Sequence, residues 1–333
     1  MTIKLTPGKI AGLEAVSDRN GVIAALAMDQ RGLLKNMLAK ELGIPDPPAA
    51  MMTEFKTLVA RTLTREVSSI LLDLEYGLEA AKNINGKGLL LAYEHAGYSP
   101  DKLERLPSLS EGWSVLRLKE AGANAIKILI YYTPFEKAWV NDRKTAWVER
   151  IGAECRSVDI PFFLEFLGYD VHSDGEASME YARRKPEIVL RSMEEFTKDR
   201  YGADVLKIEV PIQMAFVEGT SAFGGVKLHT RTEAMDLIRS VASLTDKPII
   251  YLSAGVSSAV FLETLELAVE SGVKFNGVLA GRATWQDGVP IYAKLGPQAL
   301  ENWLNTTGMQ NVREINKVLE QAQPWFAARS MQA

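Results

Sequence analysis

A single cysteine, Cys155, excludes an internal disulfide and fits a reducing compartment. It sits in the helical pattern TAWVERIGAEC and reads as buried filler rather than a nucleophile. No stretch approaches the ~18 apolar residues of a membrane span, and the N-terminal MTIKLTPGKIAGLEAVSD lacks the apolar core of a secretion signal. A cytoplasmic location and no membrane partner are expected. No basic run is long enough to neutralise a series of phosphates, and the formal net charge is -4, so nucleic acid is not an expected partner either. The only histidines, His95, His172 and His229, are widely scattered and suggest no metal site. No cofactor is called for.

What is present is the balance of a globular protein with a large core: 47% hydrophobic and 24% charged residues. Eight short β-rich runs, at 22–29, 68–75, 88–94, 124–132, 160–166, 203–210, 247–255 and 275–281, alternate with helical periodicity. In VFLETLELAVESG, for example, Phe261, Leu262, Leu265 and Val269 share one face. Eight such units predict an α/β fold, the (β/α)8 TIM barrel, as a single domain over 1–333. A helical preface spans 1–21 and a helical tail 297–333. Between the second and third runs, YGLEAAKNINGK leaves room for only a short helix, which keeps a doubly wound open sheet as the alternative. GIPDPPAA, 43–50, reads as an irregular insert after the first helix.

Three segments, EAGANAIKILI, RYGADVLKIEV and ESGVKFNGVLA, each run from a helix end through a glycine into a strand. Gly122, Gly202 and Gly272 suit the left-handed position that stops a helix. In the first two copies a lysine follows five residues later, which predicts Lys127 and Lys207 at one level of alternate strands. Strand alternation turns Leu206, Ile208 and Val210 outward onto helices and Val205, Lys207 and Glu209 inward. The same parity points Lys127 and Glu165 into the barrel. Asp73, Glu75 and Glu94 add polar groups to C-terminal strand ends, where barrel enzymes hold their chemistry.

A lysine amine is nucleophilic only when neutral, and burial beside a second cation, here Lys127, is one way to favour that form. Such an amine can attack a ketone, and the resulting iminium stabilises a carbanion at the adjacent carbon without a metal. A Lys–Glu ion pair that merely plugs the barrel is the alternative left open by the charges alone. The last two runs carry a different signal. SAGVSS (253–258) and AGRAT (280–284) place small residues, backbone N–H groups and Arg282 where barrels often bind phosphate.

At AALAMDQRG, IPFFLEF, DVLKIEVP, IYLSAGVS and KFNGVLAGRATW the chain resembles the tagatose 1,6-bisphosphate aldolase family, over about 7–325. The resemblance implies a class I barrel enzyme, a lyase that reversibly cleaves a ketohexose bisphosphate, tagatose 1,6-bisphosphate or its fructose epimer, to dihydroxyacetone phosphate and glyceraldehyde 3-phosphate. It assigns the Schiff-base lysine to Lys207 and the acid/base group to Glu165. Asp29, Gln30 and Lys127 match further active-site positions, while Ser253, Gly255, Gly281 and Arg282 match the side that holds the ketose phosphate. Arg31 is the candidate for a second phosphate. Segments 131–144, 167–178 and 218–230 depart from the family pattern, which leaves the sugar epimer and the terminal group open. A sulfofructose phosphate aldolase is the related alternative, and a phosphosugar-binding regulatory protein with little turnover is the alternative of another class. A homo-oligomer is compatible with all of these.

Overall fold

The computed structural model describes residues 5–95, 104–173 and 175–327. Residues 1–4 of the preface, 328–333 of the tail and Asp174 in the 167–178 segment lie outside them. Eight parallel strands follow in chain order: β1 (Ile23–Met28), β2 (Ser69–Leu72), β3 (Gly88–Ala92), β4 (Ala125–Tyr132), β5 (Phe162–Gly168), β6 (Val205–Ile208), β7 (Ile249–Tyr251) and β8 (Gly277–Ala280). β8 pairs back onto β1, with Ile23 beside Gly277 and Leu26 beside Ala280, which closes the barrel and removes the open sheet. Each strand is a little shorter than its β-rich run except β5, which extends to Gly168.

Before the barrel lies α1 (Pro7–Val16), and α2 (Gly32–Leu42) and α3 (Ala49–Leu63) connect β1 to β2. The crossover from β2 to β3 has no α-helix, only a 3-10 turn at Ala80–Asn83, as the short sequence gap requires. The remaining crossovers carry α4 (Val115–Glu120), α5 (Ala138–Val158), α6 (Met179–Phe196), α7 (Arg231–Ala242) and α8 (Ser258–Glu270). After β8 come α9 (Arg282–Trp285), α10 (Gly288–Leu295), α11 (Pro297–Trp303) and α12 (Met309–Leu319). Local chemistry fixes several ends. Ser178 accepts from the Tyr181 N–H at the start of α6, and Thr230 with Glu233 forms a capping box on α7. Gly122, Gly202 and Gly272 all take the left-handed backbone expected of helix stops.

Two apolar layers follow from strand parity. Leu206, Ile208, Phe162, Leu164, Ile126 and Ile128 pack outward against the helices. Ala25, Leu71, Leu90, Ala125, Phe163 and Val205 fill the interior, closed from below by Leu5, Leu13, Val16 and Trp325. Lys9 on α1 fastens this lower end, both Asp204 carboxylate oxygens lying 2.8 Å from its Nζ. One step further along several strands the inward residue becomes charged: Ala125 gives way to Lys127, Phe163 to Glu165 and Val205 to Lys207. The barrel is apolar below and ionic above.

Candidate active site

Lys207 and Lys127 meet through Glu165. Lys207 Nζ lies 2.9 Å from Glu165 Oε1, and Lys127 Nζ lies 2.8 Å from Oε2 of the same carboxylate. In hydrogen-bond register Lys207 sits beside Glu165, which sits beside Leu129. The stagger of about one residue per strand that closure demands then brings Lys207 level with Lys127, as the repeat implied.

Lys127 is wholly buried, and two more carboxylates complete its surroundings, Asp29 Oδ2 and Glu94 Oε1, each at 2.9 Å. It is therefore no bare second cation beside Lys207, because three carboxylates enclose it. Burial opposes its charge, but Asp29, Glu165 and Glu94 together raise its pKa well above the ordinary lysine value. Burial would likewise raise Asp29, yet Lys127 and Lys207 hold that carboxyl well below its usual range. Glu94 goes the other way, raised chiefly by burial. Among the described residues no group of three or more His, Cys, Asp or Glu is arranged to hold a metal ion. The three carboxylates here converge on an ammonium.

On the opposite side of the mouth the chain leaves β7 through Ser253 and turns at Ala254 (φ 48°) and Gly255 (φ 78°) before α8, whose cap Ser257 accepts from the Val260 N–H. A Cβ at Gly255 would overlap the Arg282 guanidinium, so glycine is what lets the arginine lie against this turn. A Cβ at Gly281 would come within 3.1 Å of the Gln30 amide nitrogen, tightening the seam between β8 and β1. Arg31 is 8% exposed and donates from Nη2 to the Glu94 carbonyl at 2.9 Å. Asp29 Oδ1, Gln30 Oε1, Arg31 Nε and Glu94 Oε2 are buried without hydrogen-bond partners among the described residues. Such atoms are costly unless a polar ligand satisfies them.

The model for the DeoC/LacD family of aldolases matches residues 23–287. The chain belongs to this family. It is similar to tagatose 1,6-diphosphate aldolase 1 of Enterococcus faecalis, 49% identical over 96% of this chain and 97% of the relative. To tagatose 1,6-diphosphate aldolase 2 of Streptococcus pyogenes it is 50% identical, over 98% and 99%. Among solved structures, fructose-bisphosphate aldolase from Plasmodium falciparum superposes with a TM-score of 0.66 at 14% identity, covering 99% of this chain and 98% of that one. A Schiff base forming fructose-1,6-bisphosphate aldolase superposes at 0.56 and 15% identity, over 92% and 98%. At such identities the superpositions speak for the barrel fold. The family resemblance read in the sequence is borne out, and the protein is an aldolase, a lyase.

Some charged groups of this aldolase stand elsewhere than parity placed them. β6 ends at Ile208, so Glu209 escapes the strand alternation and turns to α6, where its Oε2 lies 2.7 Å from Lys185 Nζ. Its Oε1 accepts from the Gly168 N–H. Glu75 is exposed, and Asp73 is occupied by Lys56. Lys56, on α3, was not singled out by any strand pattern. Its Nζ donates to the carbonyls of Met28 at 2.7 Å and Gln30 at 2.8 Å and pairs with Asp73, holding the loop that carries Asp29. Burial lowers its pKa.

Sequence reading also missed a polar wall above β4 and β5. Tyr131 continues the inward face of β4 beyond Lys127 and Leu129. The Arg105 guanidinium lies 4.7 Å from the ring centroids of both Tyr131 and Tyr169, and pairs with Glu176 at 2.6 Å. Behind it, Lys144 donates to the Tyr169 hydroxyl at 2.7 Å, and that hydroxyl donates to Glu136 at 3.0 Å. Burial, reinforced by Arg105 and opposed by Glu136, lowers the Lys144 pKa to about 7. A cavity of about 870 Å³ opens at the other end of the barrel, lined by Asp18, Arg19, Arg65 and Lys87, and contains none of these groups.

Proposed function

We propose that this aldolase reversibly cleaves D-tagatose 1,6-bisphosphate to dihydroxyacetone phosphate and D-glyceraldehyde 3-phosphate through a Schiff base on Lys207. The observation that carries the reading is the Glu165 carboxylate shared between Lys207 and Lys127 at 2.9 and 2.8 Å. One oxygen stands beside the nucleophile, while the other is fixed by a permanently charged ammonium. The names carried by the relatives at about half identity support the substrate.

In the proposed sequence the neutral Lys207 amine attacks C2 of the ketose, and the carbinolamine loses water to give a protonated imine. Glu165 accepts the C4 hydroxyl proton as the C3–C4 bond breaks. The C4 oxygen becomes the aldehyde carbonyl, and the C3–C4 electron pair moves into the imine to form an enamine. C3 then takes up a proton, and water hydrolyses the imine to release dihydroxyacetone phosphate. Asp29, Gln30 and Lys127 order the hydroxyls and the acid/base carboxylate. The turn Ser253 to Gly255, with Gly281 and Arg282, holds the C1 phosphate, and Arg31 contributes near the far end of the substrate.

Borohydride added with dihydroxyacetone phosphate should reduce the imine and leave a stable mass on the peptide containing Lys207. Lys207→Ala should lose at least ~10³-fold in kcat, and activity should survive a chelator. An unlabelled Lys207 in active enzyme would sink the Schiff base. Coupled assays on tagatose, fructose and sulfofructose substrates decide the ketose, and tight binding without turnover would indicate a regulatory protein instead.

A further inference from the structure

We propose that Glu94 works as a neutral carboxylic acid, and that its ionisation sets the alkaline limit of the reaction. It acts through Lys127 and is therefore a positioning residue, and the inference rests on the roles given above to Lys207 and Glu165. Glu94 stands just past the end of β3 and is 4% exposed. Its backbone is tied down: it bridges to Leu109, and its carbonyl accepts from Arg31 Nη2 and Ser110 Oγ. Its side chain is not. Lys127 Nζ lies 2.9 Å from Oε1, while Oε2 is buried with no partner among the described residues. An ionised carboxylate has room for about four hydrogen bonds, and holding it away from water with only one is costly. A proton on Oε2 removes that cost and makes the orphaned oxygen a donor. Acceptors for it are at hand in the ketose hydroxyls and in Asp29, a carboxylate held by the same ammonium, whose Oδ1 also lacks a partner among the described residues.

The charge count leads to the same state. Lys127 is enclosed by Asp29, Glu94 and Glu165, and Glu165 also holds Lys207. With Glu94 neutral, the Lys127 ammonium and the iminium on Lys207 balance Asp29 and Glu165. When the C3–C4 bond breaks, Glu165 takes the C4 hydroxyl proton and the iminium becomes an enamine, so one positive and one negative charge vanish together. The balance holds at both stages. An ionised Glu94 would leave one buried negative charge over, and it would favour the iminium above the neutral enamine, which opposes cleavage. The other neighbours do not supply the missing cation. Arg31 meets the Glu94 backbone carbonyl and, with Arg282, answers the phosphates of the substrate; Asp73 is matched by Lys56 of α3; His95, next in the chain, is exposed. Burial raises the Glu94 pKa, Lys127 opposes the rise, Asp29 reinforces it and Arg31 opposes it. As pH climbs through that raised value the acid ionises and activity falls.

Two measurements test this. Infrared spectra of the wild type at neutral pH should contain the carbonyl stretch of a buried protonated carboxyl, shifted in deuterated water and missing from Glu94→Gln. The band should fade over the same pH range in which kcat declines. The second measurement is the kcat profile from about pH 6 to pH 10, with rates recovered on return to neutral pH so that denaturation is separated from titration. Wild type should fall at least ~10-fold on the alkaline side, whereas Glu94→Gln, a neutral copy that cannot ionise, should fall less than about twofold from its own maximum. Glu94→Asp should bring the decline back. Absence of the band, a wild-type profile without the decline, a decline that survives Glu94→Gln, or a folded Glu94→Gln inactive at every pH each overturns the proposal. If borohydride still labels Lys207, any of these leaves the Schiff base standing; an active enzyme with Lys207 unlabelled overturns both.

Discussion

Lys144 shows what one buried charge does to a residue-level account. Its Nζ has a hydroxyl for a direct partner, with Glu136 beyond it and the Arg105 guanidinium against the ring of the same tyrosine. The unfolded amine titrates near 10.5 and the folded one near 7. Below pH 7 the ammonium is charged in both states and the full cost of burying it falls on the fold. Above 10.5 it is neutral in both and that cost vanishes; between the two values the unfolded chain binds more protons, so stability from this residue rises with pH. Lys144→Met should therefore stabilise the protein by about 1–4 kcal/mol near pH 6.5 and progressively less toward pH 10. Urea midpoints of variant and wild type at both pH values measure it, and a benefit that grew with pH would contradict the assignment. Sequence pattern had no access to this residue, because nothing but a fold reveals that the lysine of α5 is covered. For Lys127, Glu165 and Lys207 strand parity sufficed, whereas Glu209 was misplaced because alternation stops where β6 stops.

Among the elements, α3 has the clearest expected consequence for the proposed site. Phe55, Leu58, Val59 and Leu63 bury its apolar face, and from the same face Lys56 reaches beneath the ends of β1 and β2. Its three contacts join two carbonyls of the Met28 to Gln30 loop to Asp73. Lys56→Met would leave Asp73 buried and unpaired, an imbalance that usually costs roughly 3–5 kcal/mol. It would also free the loop bearing Asp29 and Gln30. The expected outcome is a lowered urea midpoint together with a fall in kcat of at least ~10-fold, since small displacements of positioned groups are expensive. Lost stability with unchanged kcat would show that α3 supports the barrel without aligning the site. Periodicity revealed that a helix lies here, but a lysine on an apolar face reads as a snorkelling side chain until the strands it touches are known. The β2 to β3 crossover was legible for the opposite reason: twelve residues between the runs leave little room for an α-helix, and the structure supplies only the 3-10 turn.

Over the whole molecule, the apolar plug and the proposed chemistry occupy opposite ends of one barrel. The proposed reacting groups, Lys207 and Glu165, sit toward the C-terminal ends of their strands, and the N-terminal end is sealed by Leu5, Leu13, Val16 and Trp325 against the interior layer. The last described segment is drawn into that seal. Trp325 N–H donates to the Gly21 carbonyl at 2.8 Å, and the Asn276 amide donates to the carbonyls of Gln323 and Pro324. A tail read from the sequence as helical thus ends by plugging the barrel beside β8 and β1, a role no local pattern announces because the partners are distant in sequence. Trp325→Ala should remove a large buried surface and cost about 3–5 kcal/mol. Its apolar contacts lie below the ionic layer, so kcat and KM of the folded enzyme should stay within about twofold of wild type. Urea denaturation and steady-state kinetics at low temperature separate the two effects. A kcat reduced tenfold at unchanged stability would mean that the lower plug sets the geometry of Lys207 and Glu165, and that the two ends of the barrel are mechanically coupled rather than divided in labour.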